Sequence, residues 1–226
     1  MSLVSVIVPT LNAARYLSDA LDSVGAQTYD EWEVVLVDGG STDGTLEIAE
    51  RYERVRQIRQ GGTGLTDAWN CGLEAARGDL IAFLDSDDTW EPQKLSKQVP
   101  LLEAPGGADC VISKMRFVLE PGFPPPPGFR PALLESDHVG YLPSALLARR
   151  SVFARIGVFD TRWDYSADVD WFARVKDAGL RTEVVPEVLM HRRVHDRNLS
   201  TLGGTVVNRE LIELLRESVE RQRGPG

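Results

Sequence analysis

The feature that most constrains the fold is a switch between two hydrophobic periods over the first 90 residues. Short apolar, β-branched runs predict strands at residues 4–8, 33–37, 55–59 and 80–84. Between them, apolar side chains at helical spacing predict helices at residues 17–27, 45–54 and 66–76. Strands that alternate with helices pair in parallel. The pattern therefore predicts an α/β fold with a Rossmann-like, mostly parallel central sheet and helices on both faces.

The second half of the chain is less regular. Its apolar patterns predict strands at residues 110–117, 144–149, 183–185 and 188–192. They also predict helices at residues 92–102, 151–156, 167–178 and 206–221. Residues 120–131 are rich in proline, which excludes a helix interior or a central strand and predicts a loop. We expect a mixed C-terminal extension of the same sheet, so that residues 1–226 form a single domain.

Composition excludes several classes of protein. Lys and Arg total 25 against 34 Asp and Glu, so the net charge of −9 argues against a nucleic-acid partner. Cys71 and Cys110 have neither zinc-ligand spacing nor a disulfide pattern. There is no signal peptide and no apolar run of about 18 residues, so no integral membrane segment is expected. The prediction is a cytoplasmic protein, with peripheral contact at the inner face of the membrane as an option.

An acidic cluster follows the strongest predicted strand. Asp85-Ser86-Asp87-Asp88 comes directly after Leu84, where open α/β sheets bind ligands. Carboxylates packed together repel unless they share a cation, and Mg²⁺ and Mn²⁺ prefer carboxylate and phosphate oxygens. The Asp-x-Asp pattern therefore indicates a site for a divalent metal and a diphosphate. The alternative is that Asp87 or Asp88 caps the helix predicted from residue 92.

The first two strands also end in polar segments. Pro9-Thr10-Leu11-Asn12 follows the first strand, and residues 38–45 follow the second. The P-loop pattern is absent, and Asp67 breaks the only candidate for the dinucleotide-binding GxGxxG pattern. Nucleotide binding of either familiar kind is therefore not indicated.

Taken together and in order, these segments resemble the family-2 glycosyltransferases, which have the GT-A nucleotide-sugar fold. The matching segments are SVIVPTLN (5–12), VDGGSTDGT (37–45), AWNCGL (68–73), RGDLIAFLDSDD (77–88), VFD (158–160), DVDWF (168–172) and RVHDRNLS (193–200). The resemblance covers nearly the whole chain except the proline-rich segment and the tail. It implies a nucleotide-binding half at 1–90, an acceptor and catalytic half at 91–202 and a C-terminal helix at 203–226.

The resemblance also implies roles for individual residues. The donor nucleotide-binding residues would be Pro9, Thr10, Asn12, Asp38, Gly39, Asn70, Asp85 and Ser86. Gly39 stands where many relatives carry a second acid, which leaves the base preference open. The metal, Mn²⁺ or Mg²⁺, would be held by Asp87 and His195. The alternative for His195 is a loop residue that fixes the backbone.

Asp168 matches the family's general base, which deprotonates an acceptor hydroxyl. The family's Glu before this Asp is replaced by Ala167. Asp170 is only two residues on, so on a helix it faces away from Asp168. A helix N-cap is the alternative role for Asp168, and Asp164 is a more distant candidate for the base.

The sequence thus predicts an inverting glycosyltransferase that uses a nucleotide-sugar donor, expected to be UDP-linked, and a divalent metal. Two alternatives stay open. One is a domain that binds nucleotide sugars without transferring them. The other is a sugar nucleotidyltransferase, for which a glycine-rich basic loop after the first strand would be expected. The acceptor is not identified, although residues 117–141 should shape its pocket, and a homodimer is an open option.

Overall fold

The computed structural model describes residues 1–126, 129–163, 165–196, 198 and 204–223. The strands of the first half are β1 (Val4–Thr10), β2 (Trp32–Asp38), β3 (Val55–Arg59) and β4 (Leu80–Phe83). The helices between them are α1 (Leu17–Gly25), α2 (Thr45–Ala49) and α3 (Leu65–Ala75). This alternation confirms the strand and helix order predicted from the hydrophobic periods. The predicted second helix was too long, because α2 ends at Ala49 rather than near residue 54.

The second half adds five strands, four helices and two short 3₁₀ turns among the described residues. The strands are β5 (Thr89–Trp90), β6 (Cys110–Leu119), β7 (His138–Val139), β8 (Leu146–Arg149) and β9 (Thr182–Val194). The helices are α4 (Lys94–Glu103), α5 (Arg150–Ile156), α6 (Ala167–Asp177) and α7 (Gly204–Arg223). The 3₁₀ turns are Pro131–Leu134 and Pro143–Ala145.

All these strands belong to one sheet with the order β3-β2-β1-β4-β8-β6-β9-β5, and β7 pairs with β6. β1 pairs in parallel with both β2 and β4, and β2 pairs in parallel with β3. β8 lies antiparallel between β4 and β6 and starts the mixed half. The carboxyl ends of β1, β2 and β4 therefore meet at one edge. The chain order reverses between β1 and β4, which is where ligands bind in open α/β sheets.

Helices cover both faces of the sheet, as expected. On one face, Leu17 and Leu21 of α1 and Leu95 of α4 belong to one buried hydrophobic cluster with residues of β1, β2 and β8. On the other, α3, α5 and α6 contribute an aromatic cluster that includes Trp69 and Trp171. Apolar surface removed from water in this way is the main favourable term in folding.

Two predicted boundaries were wrong for identifiable reasons. The strands expected at 183–185 and 188–192 are one strand, because β9 continues past Pro186 through a bulge. Val185 pairs with Ser113, Val188 with Lys114 and Met190 with Met115, so residues 186–187 and 189 are the extra ones. The strand expected from residue 144 begins only at Leu146, because Pro143 starts a 3₁₀ turn.

The packing of α3 on β1 requires a glycine. A Cβ atom at Gly72 would overlap the side chain of Ile7. We expect Gly72→Ala to lower the free energy of unfolding by about 1–3 kcal/mol because the core is overpacked. Gly25→Ala is the control, since a Cβ there meets no described atom within 4 Å. Urea denaturation of both variants measures the difference, and equal stability of the two would contradict this account.

Candidate active site

The acidic segment forms a tight turn at the end of β4. Leu84 continues the strand by donating its N–H to Ile7, and the amide of Asp88 donates to the carbonyl of Asp85 at 3.0 Å. Side-chain oxygens of Asp85, Asp87 and Asp88 all lie within 4.8 Å of one another. Among the residues that the structure describes, Oδ1 of Asp85 is buried without a hydrogen-bond partner. Clustered carboxylates with a free oxygen are suitable ligands for a hard divalent cation.

Burial and mutual repulsion disfavour the ionised forms of these carboxyls. Burial, and then the charge of Asp87, raise the pKa of Asp85 to about 7. The same causes raise the pKa of Asp88 well above its ordinary value. The guanidinium of Arg192 on β9 opposes both shifts. A cation bound at the turn would relieve the same repulsion.

A hydrogen-bonded pair from the segment after β9 holds Asp87. Nε2 of His195 lies 2.9 Å from Oδ2 of Asp87, and the amide of Asn198 donates to the same oxygen at 3.3 Å. Oδ1 of Asn198 in turn accepts the backbone N–H of His195 at 2.6 Å. The ring of Tyr16 stacks on His195 with 4.7 Å between centroids. His195 is thus placed to orient Asp87, and its role as a metal ligand stays a prediction.

The predicted capping role for Asp87 or Asp88 was wrong. Helix α4 begins only at Lys94, and its capping position is Gln93. Asp88 instead accepts the backbone N–H of Arg193 at 3.0 Å. The acidic turn is therefore tied to β9 and not to the helix that follows it.

The ends of β1 and β2 are tied to each other beside this turn. The buried carboxylate of Asp38 accepts the N–H groups of Gly40 and Ser41 at 3.0 and 3.1 Å. Asn12 has a φ of 52°, and its side-chain oxygen accepts the N–H of Thr42 at 2.9 Å. Asp38 therefore fixes the loop after β2, and Asn12 fixes that loop against the one after β1, as a preformed binding surface requires.

Four other residues predicted to bind the donor lie at the ends of β1 and β2 and in the acidic turn. Pro9 and Thr10 end β1, and the hydroxyl of Thr10 donates to the carbonyl of Val37. Gly39 donates its N–H to the carbonyl of Thr10, and Ser86 lies half-buried within the acidic turn.

Asn70 is occupied in a different way. It donates to the carbonyl of Phe159 and accepts its N–H, at 2.8 and 3.1 Å. It thereby links α3 to the loop before α6, and its role in donor binding stays a prediction.

Asp168 lies in the first turn of α6 and faces the acidic turn. Its negative charge contributes to the raised pKa of Asp85. Burial raises the pKa of Asp168 itself, while Arg192 lowers it. The capping alternative is not supported, because the capping position is Ser166. Asp164, a further candidate from the sequence, lies outside the described residues.

Asp170 has a different environment from Asp168. It is buried in an ion pair with Arg174 at 2.8 Å, which makes it a structural residue. The two acids thus point to different surroundings, as the helical spacing predicts.

Sequence reasoning missed three residues that border this site. Ser144 accepts the backbone N–H of Asp85 at 3.1 Å, Tyr16 supports His195, and Arg192 faces three carboxyls. Ser144 and Tyr16 have no motif that would have marked them. Arg192 is one of several basic residues in and after β9, and no motif distinguishes it from Arg193.

The first half of the sheet is parallel and carries the acidic turn at the end of β4. The second half is mixed, and its helix α6 carries Asp168. This combination defines the GT-A class of fold. The family model described as "Glycosyl transferase family 2" matches residues 5–156, more than half of the chain. The chain belongs to glycosyl transferase family 2, as its motifs indicate.

One curated relative agrees with this assignment, and two solved structures share the fold. A PGL/p-HBAD biosynthesis glycosyltransferase of Mycobacterium bovis is 32% identical over 220 residues, covering 93% of this chain and 83% of its own. S. aureus TarS 1–349 in complex with UDP has a TM-score of 0.74 at 22% identity, over 97% of this chain and 65% of that one. The mannosyltransferase PcManGT from Pyrobaculum calidifontis, in complex with GDP-Man and Mn²⁺, has a TM-score of 0.71 at 23% identity, over 97% and 64%.

Some relatives are considerably longer than the part that this chain matches. The chain spans 33%, 42% and 64% of the length of three other curated relatives that it matches. Within the described part of the chain, no helix combines the length and apolarity needed to cross a membrane.

Proposed function

We propose that this protein transfers a sugar, with inversion, from a nucleoside-diphosphate donor to a hydroxyl acceptor, and that the donor is UDP-linked. The observation that carries the proposal is the acidic turn at the end of β4, with Asp168 facing it from α6. The UDP bound to TarS supports the choice of nucleotide. The GDP-Man of the Pyrobaculum enzyme makes a guanine donor the alternative to test.

The donor would lie across the ends of β1, β2 and β4. Asn12 and Asp38 would receive the base and ribose, and Asp85 the ribose hydroxyls. Asp87, with the adjoining carboxylates, would hold a divalent cation, which is consistent with the unpartnered oxygen of Asp85. When bound, such an ion stabilises the negative charge of a diphosphate leaving group. His195 and Asn198 would keep Asp87 correctly oriented.

Asp168 would act as the general base. Its carboxylate would take the proton of the acceptor hydroxyl while that oxygen forms a bond to the anomeric carbon. The bond between the anomeric carbon and the donor phosphate oxygen breaks, and its electron pair leaves with the nucleoside diphosphate. Attack opposite the leaving group inverts the anomeric centre. The raised pKa of Asp168 suits it to accept a proton.

The test is a thermal-shift panel of UDP, GDP, ADP and their sugar conjugates, each with and without Mn²⁺. Ligand at about 100 times its Kd stabilises the native state by about 2.7 kcal/mol. We therefore expect a clear rise in Tm for UDP compounds, and a larger rise with Mn²⁺ than without it. A chain that no nucleotide stabilises would refute the proposal.

A second measurement separates an enzyme from an inert binder. A transferase should release free UDP slowly from its UDP-sugar when water replaces the acceptor, and the release should depend on Mn²⁺. A nucleotide-sugar-binding domain would show the thermal shift without the release.

A further inference from the structure

Lys94, near the start of α4, is fully buried at 0% exposure. Its ammonium donates to Oε1 of Gln98 at 2.8 Å and to the carbonyl of Leu146 at 3.4 Å, and it lies 4.1 Å from the ring centroid of Trp90. Within the described ranges it has no carboxylate partner in ion-pair distance, and burial lowers the pKa of Lys94 well below its ordinary value. A buried amine without a counter-ion is unfavourable for folding. Lys94 and the two side chains that it contacts instead hold a neighbouring segment of the main chain in place.

Those contacts converge on the short 3₁₀ turn Pro143–Ala145. The indole N–H of Trp90 donates to the carbonyl of Ser144 at 2.8 Å. The amide of Gln98 donates to the carbonyl of Ala145 at 3.0 Å. With Lys94 on Leu146, three successive carbonyls are each held by one side chain. We call Trp90, Lys94 and Gln98 the turn anchor.

The anchored turn contacts the acidic turn through the hydroxyl of Ser144. Oγ of Ser144 accepts the backbone N–H of Asp85 at 3.1 Å. Asp85 is also the residue whose Oδ1 is buried without a partner in the described structure. The position of Asp85 thus depends on a turn whose own carbonyls are fixed from α4 and β5.

We propose that the turn anchor and Ser144 are positioning residues for the donor and metal site. The anchor holds the 143–146 segment, and Ser144 holds the main chain of Asp85 so that its carboxylate points at the ion and the ribose. This role rests on the proposed function. Groups that orient the ligands of a metal are worth about 10–100-fold in metal affinity.

The first test compares two buried serines by isothermal titration of Mn²⁺ into the full chain saturated with UDP. Ser144→Ala should weaken the Kd for Mn²⁺ about tenfold. Ser113→Ala is the matched control, since Ser113 is equally buried and its Oγ has no hydrogen-bond partner in the part of the chain described. It should leave the Kd unchanged. Equal values for Ser144→Ala and wild type would overturn the proposal.

The second test asks whether Lys94 acts through Ser144. Lys94→Met keeps the volume of the side chain and removes the buried amine, so its Tm should not fall while its Kd for Mn²⁺ weakens by about three- to tenfold. The double variant should bind as Ser144→Ala does, because both changes release the same residue. Multiplying effects would overturn the proposal.

Two further outcomes are informative. If Lys94→Met fails to fold, Trp90→Phe makes the same test, since it keeps an aromatic ring and removes the N–H that holds Ser144, together with part of the indole. If the wild type binds no UDP with Mn²⁺, the proposed function fails, and the positioning role fails with it. If the wild type binds and all variants bind equally, only the positioning role fails.

Discussion

Replacing Asp168 with Asn should lower the rate of sugar transfer by about 10²–10⁴-fold and leave the Kd for the UDP-sugar unchanged. Asparagine fills the same space in the first turn of α6 but cannot accept the acceptor's proton. Because Asp168 contributes to the repulsion at Asp85, the variant should bind the anionic donor at least as well as wild type. Release of UDP from the donor gives the rate, and titration calorimetry gives the Kd.

The same helix offers a matched control. Asp170 is buried in an ion pair with Arg174, whose guanidinium also donates to the carbonyls of Ile156 and Val158. Asp170→Asn should therefore lower the Tm, since breaking a buried pair is strongly destabilising. Below that Tm, kcat should stay near the wild-type value. The assignment of Asp168 would be contradicted if Asp168→Asn kept full turnover or if Asp170→Asn alone abolished it.

The dependence of kcat on pH is a further measurement that reports on Asp168. Burial raises the pKa of this carboxyl, so it takes up a proton at a higher pH than an ordinary aspartate does. The ionised base is therefore lost as the pH falls through that raised value. We expect the acid limb of kcat to lie above the range of an ordinary aspartate.

The fold of residues 1–90 could be predicted from sequence because the residues that define each strand and helix are adjacent in the chain. Each of β1, β2 and β4 is a mainly apolar segment that ends in or is followed by polar residues, and parallel pairing brings those ends to one edge. The acidic turn and Asp168 followed from the same argument and the family motifs. The fold class is confirmed by the solved structures that share it.

The mixed half could not be predicted to the same degree because its elements depend on contacts between residues that are far apart in the chain. β5 is only two residues long and exists because Thr89 and Trp90 pair with β9, about a hundred residues later in the chain. Ser144 contacts Asp85 only because β8 lies antiparallel to β4. No periodicity within either segment indicates such contacts, so the support behind the acidic turn is visible only in three dimensions.

The positions of the arginines beside the acidic turn show how the negative net charge affects this site. Arg193 on β9 pairs with Asp19 at 2.6 Å and donates to the carbonyl of Asp87. It is therefore committed to the protein's own acids. Arg192 faces three carboxyls at once. Among the described residues around the acidic turn, little positive charge is therefore left to offset a diphosphate, and this supports the proposal that an added cation does so.

That requirement makes Asp87 the residue whose loss should most affect donor binding. Asp87→Asn removes one negative ligand and leaves His195 and Asn198 without the carboxylate they hold. We expect the Mn²⁺-dependent part of UDP binding to weaken by about 100-fold or more, since changes at supporting residues alone cost 10–100-fold. Binding measured without metal should change little, because the added affinity comes from the ion. Titration of UDP with and without Mn²⁺ measures both quantities.

The control comes from the opposite end of the same strand. Asp79 is exposed and lies just before β4, at the edge of the sheet away from the acidic turn. Asp79→Asn makes the same change in charge on the chain, so an effect of net charge alone would appear equally in both variants. A loss confined to Asp87→Asn assigns the effect to the site. Undiminished Mn²⁺-dependent binding by Asp87→Asn would mean that Asp85 and Asp88 hold the ion without it, and the proposed metal role of Asp87 would be wrong.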